Sequence, residues 1–157
     1  LAGLPLTEFS CNGRAITSIA VLAGAPLKVL AVVETSVTDL SPLSQNPQLR
    51  FLDATGSPVS DLGPVAKLPL NQLYLRGTKV VVLRPLAESA TLEEIVFPEN
   101  AGDLAVLRQL PRLKRLSTLG EGGGGSLVFA RTAYSHPKHA AEDFWRAYDA
   151  KPKPAGK

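Results

Sequence analysis

The sequence contains no methionine, a single cysteine and a single tryptophan among 157 residues, and aromatic residues of all kinds make up 6% of it. Each shortage removes a class of protein. The lone Cys11 cannot close an internal disulfide, and a chain of this length buries enough surface to fold without such staples. No charge of one sign dominates: 17 basic residues face 14 acidic ones, scattered along the chain, for a net charge of +3. That balance is too mixed for the basic footprint of a nucleic-acid binder. Long hydrophobic runs are missing as well. The stretches Ile19 to Leu27 and Val29 to Val33 are broken by Gly24, Pro26 and Lys28 and fall short of the ~20 residues a membrane span requires. The opening Leu-Ala-Gly-Leu carries no basic leader region, and without methionine there is no initiator, so the chain is expected to be processed or to be a piece of something longer. What the sequence does have is glycine and proline, 13 of each.

The prolines are periodic. Aligning the chain on Leu6, Leu27, Leu49, Leu70, Leu92 and Leu113 gives separations of 21, 22, 21, 22 and 21 residues. A second apolar residue follows each anchor (Phe9, Leu30, Leu52, Leu73, Ile95, Leu116) and then a third position (Cys11, Val32, Ala54, Leu75, Phe97, Thr118), which makes the pattern L-x-x-L-x-L. Further apolar positions recur at Ile16, Val37, Val59 and Val80, at Ile19, Leu40, Leu62 and Leu83, and at Leu22, Leu43, Val65 and Leu86. The fifth unit keeps the series as Leu104 and Leu107 after losing one residue near positions 98–102. Pro42, Pro64 and Pro85 precede the last of these apolar positions, while Pro5, Pro26, Pro47, Pro69 and Pro111 precede the next L-x-x-L-x-L.

Each phase has a mechanical reading. L-x-x-L-x-L predicts a short parallel strand that buries its leucines and exposes the x positions. The segment from Thr35 to Leu43 turns the chain by roughly half a circle, and Pro42 suits the first turn of a short helix or 3₁₀ element, with Ser41 or Asp39 available as cap. Pro47 and its equivalents stop that element and launch the next strand. A single unit cannot bury its own apolar face, so the units must stack into a continuous leucine column. The expected fold is a right-handed α/β solenoid with a concave parallel sheet and short helices or 3₁₀ turns on the convex side.

Segments such as Leu70-Asn-Gln-Leu-Tyr-Leu-Arg-Gly-Thr-Lys-Val80 and Val37-Thr-Asp-Leu-Ser-Pro-Leu43 resemble leucine-rich repeats of the short bacterial, internalin-like type. More narrowly, their wording is similar to repeat arrays attached to planctomycete-type serine/threonine protein kinases and related proteins. The first resemblance covers residues 1–119. It implies an asparagine ladder eight residues after each anchor, where this chain holds Arg14, Thr35, Ser57 and Thr78. Hydroxyls are therefore expected to bond the turn backbones in place of carboxamides, with Arg14 departing even from that.

Both ends carry expectations. Leu1 falls at the phase of Leu22 and Leu43, so the sequence starts inside a repeat, and upstream repeats are expected. The layer of Leu4, Leu6 and Phe9 would then be frayed or would contact a neighbour, which implies self-association through the uncapped first repeat. Residues 120–126 read as a Gly-rich linker, of which Gly122 to Ser126 also matches a widely engineered spacer. The run lacks the Gly-Lys-Ser/Thr of a phosphate-binding loop. Residues 127–150 are expected to form a C-terminal cap, with a terminal strand at Leu127 to Ala130 and a helix over about 137–150. Pro137 would sit in its first turn, and Ala140, Ala141, Phe144, Trp145 and Tyr148 would cover the last leucine layer. A closing Phe-Trp-x-x-Tyr-Asp-Ala-Lys helix is again similar to the kinase-attached arrays. The tail 151–157 is expected to be disordered.

Chemistry finds little support in the residues. His136 and His139 could share a metal, yet a structural site needs about four ligands and Cys11 lies at the far end of the array. Cys11 occupies an inward position, as a small hydrophobe does. Glu93 and Glu94 are adjacent in a strand and point apart, which spoils paired acid–base work. No kinase signature is present in these residues. No enzymatic role, cofactor or metal is therefore assigned. What remains is the concave surface, where Val29, Phe51, Tyr74 and Val96 stand among Arg50, Asp53, Gln72, Arg76, Glu93 and Glu94. Aromatic and arginine anchors inside a polar rim are what binding surfaces use. The sequence reads as a non-enzymatic interaction module, a C-terminal segment of a larger bacterial protein, that takes a protein or peptide on its concave face. The rivals are a spacer without specific ligand and a metal protein built on His136 and His139.

Overall fold

A computed structural model of the chain describes residues 5–118 and 139–150. The strands are β1 (Glu8–Asn12), β2 (Val29–Val33), β3 (Phe51–Asp53), β4 (Gln72–Tyr74), β5 (Glu94–Val96), β6 (Arg115–Ser117) and β7 (His139–Ala140), and they lie in that order in one sheet. The first six are parallel, as a pattern that repeats in the same sense along the chain requires. Their register sets Phe9, Leu30, Leu52, Leu73, Ile95 and Leu116 side by side in one column. Between strands run short 3₁₀ helices at Ala20–Leu22, Ser41–Gln45, Gly63–Val65, Arg84–Glu88 and Leu104–Gln109.

The core is the expected leucine column. Leu27, Leu49, Leu70 and Leu92 are buried, together with Val37, Val59 and Val80 and the later apolar positions of each unit. At about 2 kcal/mol per buried leucine or valine, this shared column supplies the driving force that no single unit has. Leu6 and Phe9 at one end of the described array, and Leu113 at the other, are only partly buried. Cys11 shares the first of these ends. It packs on the core but is half-buried rather than enclosed, and burial pushes its thiol pKa up.

Pro42, Pro64 and Pro85 occupy the first turn of their 3₁₀ helices, where a missing N–H costs nothing. The residue three positions before Pro42, before Pro64 and, in the proline-free first unit, before Val21 closes the turn. Asp39 accepts from the Ser41 amide at 2.7 Å, Asp61 from the Gly63 amide at 2.8 Å, and Ser18 from the Ala20 amide at 3.2 Å. The Ser41 amide and hydroxyl together hold the Asp39 carboxyl below its usual range.

Hydroxyls do replace carboxamides in the turn ladder. Thr35 and Ser57 share a 2.7 Å hydrogen bond, Ser57 Oγ accepts from the Thr35 amide at 3.0 Å and donates to the Val32 carbonyl at 2.6 Å, and Thr78 donates to the Leu75 carbonyl at 2.7 Å. Arg14 does not leave its turn unsupported. Its Nη1 donates to the carbonyls of Thr35 at 3.3 Å and Gly56 at 3.1 Å, crossing two neighbouring units. One position earlier the backbone enters the left-handed region, at Gly13, Glu34, Gly56 and Gly77.

A further link was not foreseen. Asn46 is fully buried, and its Nδ2 donates to the carbonyls of Leu22 and Ala25 at 2.9 and 2.7 Å, pinning the second unit to the end of the first 3₁₀ helix. In the fifth unit, which is one residue short, Asp103 takes φ 55° and the Gly102 amide donates to the Val81 carbonyl at 2.7 Å, so the turn closes on its neighbour by a different route.

The C-terminal helix, α1, spans Ala141–Ala150 and starts later than the 137 expected from Pro137. Residues 139–140 are extended and pair antiparallel with β6, Ala140 opposite Arg115 and His139 opposite Leu116. Pairing with the edge of β6 satisfies backbone groups that a helix there would leave exposed. Ala140 is consequently exposed rather than on the covering face. Ala141, Phe144 and Trp145 pack on the core, and Phe144 meets Phe97 edge-on with ring centroids 5.9 Å apart. Tyr148 stacks on Phe144 at 6.0 Å but stays 44% exposed. Arg108 lies 4.4 Å above the Trp145 ring and pairs with Asp149 at 2.6 Å. No helix among the described residues is long and apolar enough to cross a membrane. The expectations for the linker 120–126, the strand at 127–130, His136 and the tail lie outside the described residues.

Candidate functional site on the sheet face

The face of the sheet turned away from the leucine column is ruled into rows by the strand register. One row runs Glu8, Val29, Phe51, Gln72, Glu94, Arg115, and the next but one runs Ser10, Ala31, Asp53, Tyr74, Val96, Ser117. Parallel strands about 4.8 Å apart bring such side chains into contact across the sheet. The structure thus places Val29, Phe51, Asp53, Gln72, Tyr74, Glu94 and Val96 together on one face, as their spacing implies. Arg50 and Arg76 flank that group, before β3 and after β4.

Exposure is where the expectation needs correction. Phe51, Tyr74 and Val96 are only 7%, 5% and 7% exposed, and they form a second, smaller hydrophobic cluster with Val29 packed against it. The Phe51 and Tyr74 rings lie 5.4 Å apart at 40°. These residues are a floor, not protruding anchors. Periodicity identifies the face of a strand but not how far its neighbours cover it.

Glu94 also belongs inside rather than on a rim. It is 9% exposed and gathers the polar groups around it: Tyr74 donates its hydroxyl proton to Glu94 Oε2 at 3.2 Å, Gln72 Nε2 donates at 3.1 Å, and Arg115 Nη1 stands 3.6 Å from Oε1. Burial, reinforced by the charges of Glu94 and Asp53, pushes the Tyr74 phenol well above its ordinary range, against a smaller opposing pull from Arg115. Asp53 accepts from the Thr55 amide at 2.8 Å, and burial raises its carboxyl in spite of that bond. Glu93 lies just ahead of β5 and takes a different partner. It pairs with Lys114 at 2.7 Å, and that ammonium holds its carboxyl below the usual range.

The row just ahead of the strands supplies the exposed charge. A continuous backbone ladder links it: the amides of Lys28, Arg50, Asn71, Glu93, Lys114 and Ala141 each donate to the preceding member's carbonyl, beginning with Thr7. Arg50 Nη1 donates to the Pro69 carbonyl at 3.0 Å and Asn71 Nδ2 to the Thr91 carbonyl at 3.1 Å, which aims both side chains along the row. Lys28 does not figure among the binding residues expected from the sequence. The ladder makes it the immediate neighbour of Arg50.

The carboxylates of Glu94, Asp53 and Glu93 are bonded to a phenol, an amide, a backbone N–H or a cation. Among the described residues no group of three His, Cys, Asp or Glu side chains is placed to hold a metal ion. His139 lies in β7, opposite Leu116.

No protein-family model matches the sequence, and no curated protein is significantly similar to it. Solved structures do match. Internalin C2 of Listeria monocytogenes is 30% identical over 66% of this chain and 47% of its own, with a TM-score of 0.61. A second internalin of the same organism, InlF, is 26% identical over 66% of this chain and 38% of its own, with a TM-score of 0.56. The chain therefore spans less than half the length of either internalin. The likeness to kinase-attached arrays is carried by the repeat wording alone. The fold is a leucine-rich-repeat solenoid of the internalin-like, bacterial type, an architecture suited to binding other proteins.

Proposed function

We propose that the chain is a non-enzymatic interaction module that takes an extended protein or peptide segment across its concave sheet face, through Val29, Arg50, Asp53, Gln72 and Arg76 over the floor of Phe51, Tyr74, Glu94 and Val96. The observation that carries this reading is the combination of a fixed apolar floor with a flanking row of exposed charge, Lys28 and Arg50, on one continuous ladder. A pre-organised face loses little side-chain entropy when a ligand settles on it. The array of 1–119 and the cap of 127–150 act in this reading as scaffold and lid for the core. The repeat wording supports a larger bacterial, kinase-linked polypeptide as the setting.

The test is to pan a displayed random-peptide library against the purified chain. Val29→Arg should abolish binding by blocking the face, whereas Lys67→Glu with Arg84→Glu, both on the 3₁₀ side, should leave it intact. Absence of any enriched peptide, or binding indifferent to Val29→Arg in a variant with native circular dichroism, would overturn the reading. Val29 is chosen because Phe51→Ala or Tyr74→Ala would hollow out the small cluster itself.

The spacer reading is favoured by one observation, the low exposure of that same cluster. It predicts failure of the panning experiment. Self-association belongs to our reading too, supported by the half-buried Phe9 and Cys11 of β1 and Leu6 just before it. Phe9→Glu should then lower the mass seen in sedimentation equilibrium, and a wild-type chain that sediments as a monomer at all concentrations would exclude it.

A further inference from the structure

The ladder ahead of the strands distributes charge unevenly. At its C-terminal end Glu93 and Lys114 neutralise each other. At its N-terminal end Lys28 and Arg50 are adjacent rungs, the Arg50 amide donating to the Lys28 carbonyl at 2.9 Å. Both side chains are exposed, and neither is paired with a carboxylate among the described residues. Arg50 is steered by its bond to Pro69 O, which engages one of its five donors and leaves the rest of the fork available. Beside them on the sheet face stands half-buried Val29, the outer edge of the Phe51–Tyr74–Val96 cluster.

Like charges on neighbouring rungs repel, as they do when set opposite one another on adjoining strands. An anion set between them removes that cost and adds a charge-assisted hydrogen bond to each. Two cations are far too few for nucleic acid, whose binders neutralise several phosphates at once. They match a single carboxylate. The negative side chains of Glu8 and Asp53 lie on the same face and disfavour a second acid there.

We infer that the ligand of the concave face is an extended peptide segment bearing one Asp or Glu next to an apolar side chain, the carboxylate bridging Lys28 and Arg50 and the apolar group seated against Val29. This rests on the functional reading above and adds the chemistry of the partner. The carboxylate supplies orientation and salt-sensitive encounter, and the apolar contact supplies residence.

The experiment uses the peptides enriched from the displayed library on the whole chain, measured by fluorescence anisotropy at low and high sodium chloride. The expected result is that they share an acidic residue beside Leu, Ile, Val or Phe, that Lys28→Glu with Arg50→Glu weakens them at least tenfold, and that replacing the acid by its amide does the same on the wild-type chain. Lys67→Glu with Arg84→Glu changes charge equally and should have little effect. Enriched peptides that are neutral or basic, that still depend on Val29, and that ignore the charge reversal would overturn this inference while leaving the binding face intact. Peptides that ignore Val29→Arg as well would remove the face itself.

Discussion

The Glu34 side chain lies over the α-carbon of Gly56, one unit further along the turn ladder: a β-carbon on Gly56 would come within 3.0 Å of Glu34 Cγ. Glu34 itself holds φ 51° at the phase where Gly13, Gly56 and Gly77 also take positive φ. It is the one member of that column with a side chain.

A left-handed L-residue costs about 1–2 kcal/mol, so Glu34→Gly is expected to stabilise the chain by about 1 kcal/mol after the entropy of the new glycine is subtracted. Gly56→Ala should destabilise it by more, since positive φ and the contact with Glu34 both oppose the methyl group. Combining the two should cost less than the sum, because removing the Glu34 side chain removes half of the objection. Urea unfolding of the four proteins measures the coupling, and strictly additive midpoints would mean the contact is relieved without cost.

Asp53 gives stability a pH dependence of its own. Burial raises its carboxyl, so folding favours the protonated acid. That contribution is complete below the ordinary carboxylate range and is lost as pH rises through the raised value. Asp53→Asn keeps an acceptor for the Thr55 amide and never ionises. It should therefore stabilise the chain at neutral pH and change little in acid. Asp39 and Glu93 run the other way, their lowered values giving stability that disappears as pH falls. The comparison must accordingly be between variant and parent at each pH, and an equal shift of the urea midpoint at both ends would exclude the assignment.

The C-terminal helix should behave as part of the core. Phe144→Ala removes the edge contact with Phe97 and two further ring contacts, at an expected cost of about 2 kcal/mol for a half-buried ring. Trp145 is the only tryptophan, so its emission reports the helix directly. It should shift to the red in Phe144→Ala and stay put in Ala147→Ser, an exposed site on the same helix. An unchanged midpoint and emission would mean that the helix does not cover the array.

Much of this was legible because a solenoid repeats its constraints. Six leucine anchors fixed the strand register, three prolines marked the 3₁₀ helices, and Thr35, Ser57 and Thr78 announced a hydroxyl ladder. Features carried by one unit alone had no such support. Asn46 occupies a column that elsewhere holds Ala25, Leu68, Ser89 and Leu110, so a single sequence gives no sign that it reaches back to Leu22. The start of the helix escaped because Pro137 speaks only for local preference, whereas the open edge of β6 is a tertiary demand. On the sheet face, spacing named the right residues but could not show that Phe51, Tyr74 and Val96 cover one another. That burial depends on the close lateral approach of three strands, and it moves the accessible part of the face toward Val29, Lys28 and Arg50.

Arg14 changes how the N-terminal half should come apart. Units that touch only their immediate neighbours can peel from an open end one at a time. Its guanidinium bonds the second and third units together from the first, a next-nearest-neighbour coupling that taxes such stepwise release. The first three units should therefore open more nearly as a block than as separate steps.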